Sequence, residues 1–263
     1  MAEKIPPGSS AYEFGDVTVN LHRPASFTPN SPILMVIHGR NRNGDEYRDY
    51  FAAESEARGF LVVAPNFSEA HYPHPEAYNY GRMIDRSGAW QPRKRWIFPI
   101  LQDVFRDARE RAGSRRDRFF VFGHSAGSQL VHRMATFHWL DSIERAVAAN
   151  AGSYTMPVRG VPYPFGIDGI DVSDDHLREL FARPLVILLG DKDVDPDDAH
   201  LPREPEAMAQ GAHRFARGQR YFETGKKEAQ RLHTPFTWRL AIAPGVAHSG
   251  KDMASFAVKE LGL

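Results

Sequence analysis

The chain has 263 residues, which suits one large α/β domain or two small ones, and its 42% hydrophobic content supports a sizeable core. Lys+Arg and Asp+Glu both number 33, a formal charge of zero that argues against a nucleic-acid binder or a polybasic membrane binder. There are no cysteines, which excludes disulfides, thiolate catalysis and cysteine-ligated metals.

The start, Met1 to Pro7, lacks the apolar stretch of a signal peptide, and no run approaches transmembrane length. The expectation is a cytoplasmic protein with no membrane partner. Tyr12-Glu13-Phe14 and Val17 to Leu21 alternate like antiparallel edge strands. Unalternating apolar runs then recur at 33–37, 60–64, 119–122, 146–149, 185–189 and 238–243. Such runs suit parallel strands covered on both faces. Helix-like segments lie between them at 45–58, 96–112, 128–139, 174–181 and 249–261. The stretch 205–232 reads as helix with breaks at Gly211, Gly218 and Gly225. The predicted fold is α/β: a doubly wound, mostly parallel sheet flanked by helices, with an antiparallel N-terminal edge. With no internal repeat, low-complexity tract or linker, residues 1–263 read as one domain. Segments 66–95 and 152–173 fit neither helix nor strand and follow strand ends, where open α/β sheets bind ligands. Both are expected to face substrate.

The most informative residues are Gly123-His124-Ser125-Ala126-Gly127. This G-x-S-x-G pattern lies between an apolar strand and a helix, the context of a nucleophile elbow, in which small neighbours leave room for a strained serine at the tip. The helix N-terminus beneath favours developing negative charge. Serine needs a base to take its proton, and the base needs an acid to orient it; on such a sheet the chain order is Ser, Asp or Glu, His. Of twelve histidines, His248 sits in the loop between the last strand and last helix, free to reach the elbow. The acid should follow strand 185–189, where the chain reads Gly190-Asp191-Lys192-Asp193-Val194-Asp195-Pro196-Asp197-Asp198. Asp193 is far enough round the turn to face the histidine loop, with Asp195 second. A calcium loop is the structural alternative there, but the glycine and distal glutamate of an EF-hand are missing. Oxyanion donors are expected from the backbone N–H of Ala126 and, in the His38-Gly39-Arg40-Asn41 loop, of Arg40.

Taken in order, His38-Gly39, the Ser125 elbow, the Gly190 to Asp193 turn and His248 resemble the α/β-hydrolase superfamily from about residue 31 onward. The short plan and His-Gly-x loop look most like the esterase branch of polyhydroxybutyrate-depolymerase-like, feruloyl-esterase-like and dienelactone-hydrolase-like enzymes. The resemblance implies Ser125 as nucleophile, Asp193 as acid, His248 as base and oxyanion donors at Arg40 and Ala126. It departs from dienelactone hydrolases in lacking a cysteine nucleophile, and from extracellular depolymerases in lacking disulfides and a signal peptide. With no large helical lid inserted, a true lipase is disfavoured.

The expectation is therefore a serine hydrolase of carboxylic esters working through an acyl-enzyme, on a small-molecule ester, with no metal or organic cofactor. A peptidase or amidase would use the same triad. A non-catalytic binding protein on the scaffold is the reading from another class. Candidate substrate contacts are His38, Asn41 and His124 near the elbow, and Tyr78 and Tyr154 from the two loops.

Overall fold

The structure, a computed structural model, describes residues 4–263. The first three residues, part of the start read for a leader and of the single-domain span, lie outside the described residues. The chain opens with β1 (Gly8–Phe14) and β2 (Val17–Arg23), an antiparallel hairpin. Six strands follow: β3 (Ile33–Ile37), β4 (Leu61–Asn66), β5 (Phe119–His124), β6 (Ile143–Ala149), β7 (Leu185–Gly190) and β8 (Arg239–Ala243). They join in one sheet of order β1-β2-β4-β3-β5-β6-β7-β8. β2 runs antiparallel to β4, and every later pairing is parallel. This is the doubly wound sheet with an antiparallel edge that the apolar runs predict.

Burial on both faces explains those runs. Along β3, Ile33, Met35 and Ile37 enter one core cluster and Leu34 and Val36 the other. Helices α1 (Gly44–Tyr50), α2 (Ala52–Arg58), α3 (His74–Ala77), α4 (Phe98–Ala112), α5 (Ala126–Phe137), α6 (Asp174–Ala182), α7 (Pro205–Met208), α8 (Arg214–Arg231) and α9 (Gly250–Leu261) flank the sheet. Phe98, Leu101, Val104 and Phe105 of α4 and Leu130, Val131 and Met134 of α5 cover the first face. Tyr47 of α1 and Met253, Ala257 and Val258 of α9 cover the second. Among the described residues no helical lid is inserted, and no helix is long and apolar enough to cross a membrane.

Two helical expectations change. The segment 45–58 is two helices that meet at Phe51, whose N–H turns back to the Arg48 carbonyl while its ring packs edge-on against Phe122 at 5.1 Å. In 205–232, Gly211 lies in a real gap between α7 and α8, but Gly218 and Gly225 stay inside α8. A Cβ at Gly218 would collide with Leu189, and one at Gly225 would lie 2.8 Å from the Trp238 ring. Those glycines admit neighbours rather than end the helix.

Candidate active site

β5 ends at His124 and α5 starts at Ala126, which leaves Ser125 alone on the bend with φ 56° and ψ −116°. Its N–H donates to the Ala149 carbonyl at 3.0 Å, which ties the bend to β6. The flanking glycines are required by contact. A Cβ at Gly123 would strike the Gly127 carbonyl, and one at Gly127 the Ile37 carbonyl of β3.

The structure brings Ser125, His248 and Asp193 together. His248 Nε2 lies 3.0 Å from Ser125 Oγ, and His248 Nδ1 lies 2.7 Å from Asp193 Oδ2. In the tautomer that donates Nδ1–H to the carboxylate, Nε2 is free to accept the serine proton. Main-chain and side-chain bonds hold the two loops in register. Lys192 N–H donates to the Val246 carbonyl at 2.9 Å, and Gly245 N–H donates to Asp191 Oδ1 at 2.7 Å. Asn150, the residue after β6, spans them, accepting from Gly190 N–H and donating to the Ala247 carbonyl.

Asp193 is 3% exposed, whereas Asp195 is exposed and accepts from Asp197 N–H in its own turn. Behind Asp193 lies the buried Arg214, with Nη1 at 3.5 Å from Asp193 Oδ1. Arg214 grips Asp198 bidentately at 2.9 and 3.0 Å, and these bonds hold the Asp198 carboxyl well below the usual carboxylate range. Asp193 and Asp198 thus share Arg214, while Asp191 and Asp195 accept main-chain N–H groups, and among the described residues these carboxylates form no cluster that could hold a metal ion.

Arg40 and Ala126 line the same cavity as Ser125, and the N–H of neither donates to a protein acceptor among the described residues. Unpaired backbone amides are the donor type that can receive a developing oxyanion. The cavity holds about 590 Å³ and carries Arg40, Arg42, Glu69 and Lys251 on its walls.

The candidate substrate contacts divide. Asn41 is exposed on the cavity wall. His38 is a correction: it is fully buried, its Nε2 accepts Phe67 N–H at 2.9 Å, and its Nδ1 donates to the Gly39 carbonyl at 2.8 Å. Burial pushes its pKa down to about 3, so it stays neutral and braces the Arg40 loop from beneath. Tyr154 is also a correction: buried, stacked on Tyr221 at 4.6 Å, its N–H and C=O both held by the Gln210 side chain. Tyr78 is buried on the cavity floor, where its hydroxyl donates to the His38 carbonyl at 2.6 Å and the Arg42 guanidinium covers its ring at 3.8 Å. His124 is 3% exposed, with Nδ1 2.8 Å from the Tyr47 hydroxyl and its ring 4.7 Å from that of His248. Burial, then the adjacent His248, pushes its pKa well below the ordinary 6.5. It also lines the cavity that holds Ser125, with its ring set against that of His248.

Sequence reasoning missed Tyr47, Arg214 and Gln129. Tyr47 and Arg214 lie 78 and 89 residues from Ser125 (125 − 47 and 214 − 125), with no local pattern to mark them. Gln129 had a usable signal, since it lies one helical turn after Ser125 and so shares its face of α5.

No model of a known family and no curated protein sequence matches the chain. Solved structures do. The chain is 37% identical to poly(aspartic acid) hydrolase-1 from Sphingomonas sp. KT-1, with a TM-score of 0.94 over 98% of this chain and 100% of that one. It is 36% identical to LpqC, a poly(3-hydroxybutyrate) depolymerase from Bordetella parapertussis, with a TM-score of 0.90 over 96% of this chain and 90% of that one. The chain belongs to the esterase branch of the α/β-hydrolase superfamily. An acetyl xylan esterase from Aspergillus awamori, 16% identical over 97% of this chain and 99% of that one, shares the fold with a TM-score of 0.59. By its relatives this α/β-hydrolase is a hydrolase. Segment 66–95 supplies Glu69, His74, Pro75, Tyr78, Asn79 and Tyr80 to its cavity, whereas 152–173 supplies Gly152 alone among the described residues.

Proposed function

We propose that this α/β-hydrolase is a serine esterase that works through an acyl-enzyme. His248 Nε2 takes the proton of Ser125 as Oγ attacks the ester carbonyl. The Arg40 and Ala126 amides receive the oxyanion, which costs no reorganisation because they are already fixed. His248 then protonates the leaving alcohol, and water repeats the cycle on the acyl-serine. Asp193 holds the imidazole in the required tautomer and stabilises its cationic form. The observation that carries this reading is the hydrogen-bonded line Ser125 Oγ–His248–Asp193, with steps of 3.0 and 2.7 Å.

Turnover of p-nitrophenyl butyrate tests it. Ser125→Ala should lower kcat by at least about a thousandfold. An unchanged rate in that variant overturns the reading.

A second reading is favoured by the cavity walls and by one relative's name. Arg40, Arg42 and Lys251 outnumber Glu69 there, while Arg214 is occupied by Asp193 and Asp198. A neighbouring cavity adds Arg82, Arg86 and Arg95 against Glu76 and Asp85. Excess cationic walls suit an anionic substrate. A polymer of aspartic acid is both anionic and joined by amides, and the same triad cleaves amides. Running oligo-aspartate beside the ester in the same assay decides which bond is preferred.

A further inference from the structure

Arg133 of α5 is fully buried, and among the described residues no carboxylate pairs with it. All its contacts are neutral. Nε donates to Thr155 Oγ1 at 3.1 Å and Nη2 to the Pro164 carbonyl at 3.2 Å. Nη1 donates to the Asn79 carbonyl and to Gln129 Oε1, both at 2.9 Å. The Tyr80 ring stands 4.7 Å from its guanidinium carbon. A guanidinium has donors only, so whatever faces it must accept.

That fixes the Gln129 amide. Oε1 accepts from Arg133 and, at 3.0 Å, from Asn79 Nδ2. The amide cannot be flipped, and Nε2 must point the other way. There it borders the cavity that holds Ser125, with no hydrogen-bond partner among the described residues. A methyl placed on Gly152 would come 3.4 Å from it. Two donors on the carbonyl oxygen, one of them cationic, draw electron density from the amide and strengthen its N–H donors. The unneutralised charge behind adds a positive potential at the same place.

We propose that Gln129 Nε2 is a specificity-determining donor that binds a second acceptor oxygen of the substrate, a carbonyl or carboxylate oxygen separate from the scissile group. Substrates that carry such a group, as chains of repeating ester or amide units do, are selected over plain alkyl esters. This rests on the serine-hydrolase reading above, because the subsite matters only relative to attack by Ser125.

The test is Gln129→Glu. The carboxylate still accepts from Arg133 and Asn79, so the buried contacts persist, but the cavity-facing donor becomes an acceptor. Two matched neutral ester pairs place the extra carbonyl on either side of the scissile bond. These are p-nitrophenyl 4-oxopentanoate against p-nitrophenyl pentanoate, and 4-acetylphenyl acetate against phenyl acetate. The readout is the ratio of kcat/KM within each pair. In at least one pair the preference for the carbonyl-bearing ester should fall more than threefold in Gln129→Glu, from about fivefold to tenfold for one lost hydrogen bond. A change below threefold in both pairs overturns the proposal. Should the variant not fold, the wild-type preference decides, normalised to hydroxide-catalysed rates of the same esters. Above threefold in either pair supports the donor, and threefold or less in both overturns it. Ser125→Ala in parallel separates the two claims: surviving turnover there removes the serine reading, whereas an unmoved ratio with Ser125-dependent turnover removes only the Gln129 subsite.

Discussion

Ser125 holds φ 56° and ψ −116°, a backbone conformation that costs a residue with a side chain about 1–3 kcal/mol. Folding tolerates it because Gly127 seats against β3 and the Ser125 N–H is anchored on β6. Removing the hydroxyl and removing the strain are therefore separable. Ser125→Gly should be about 1 kcal/mol more stable than Ser125→Ala, after the extra freedom of glycine in the unfolded chain is deducted. Urea midpoints of the two variants measure this; equal midpoints would mean that the bend stores no strain. Single residues also mark how far the sequence could be read. The elbow and His248 were legible because their motifs sit at strand ends. The choice between Asp193 and Asp195 was not, because what separates them is burial against Arg214, about twenty residues further on. His38 and Tyr154 were misread because a polar or aromatic residue beside a motif looks the same in sequence whether it faces substrate or the core.

At the scale of elements, the strands were legible because burial on both faces leaves an unbroken apolar run. Helix ends were harder. α9 starts where Ser249 caps it by accepting from Asp252 N–H, a local signal. The division of 44–58 at Phe51 depends on a ring seated against Phe122, a contact far along the chain. Gly218 and Gly225 carry a propensity cost that close packing on Leu189 and Trp238 overrides. Segment 152–173 holds no helix or strand, as read, whereas 66–95 contains the short α3 and a 3-10 turn at Arg93–Arg95, and tertiary bonds tie the two segments together. Tyr163 donates its hydroxyl to the Tyr80 carbonyl at 2.5 Å, and Arg133 reaches Asn79 in one and Pro164 in the other. Such tertiary bonds leave no periodic trace.

Across the whole molecule, His38, His124 and His132 are buried, and burial lowers the pKa of each below 6.5. The unfolded chain therefore binds protons that the folded one refuses. Stability is fully present above about pH 6.5 and falls as the pH drops through that value, down to about pH 3, where His38 protonates in the fold as well. His38 alone accounts for a loss of about 2 kcal/mol by pH 5. The expected result is a Tm lower by roughly 5 °C or more at pH 5 than at pH 7.5. A flat profile over that range would contradict neutral burial of these histidines. The neutral overall charge gave no hint of this, since it sets Lys and Arg against Asp and Glu and leaves histidines out.

The convergence of Ser125, His248 and Asp193 is tested most directly by intact-protein mass after exposure to a fluorophosphonate. Folded wild-type protein should gain one adduct, mapped to Ser125, lost in Ser125→Ala and much slowed in His248→Ala. Folded wild-type protein that gains no adduct, or gains one that persists in Ser125→Ala, would contradict a nucleophile activated at this bend.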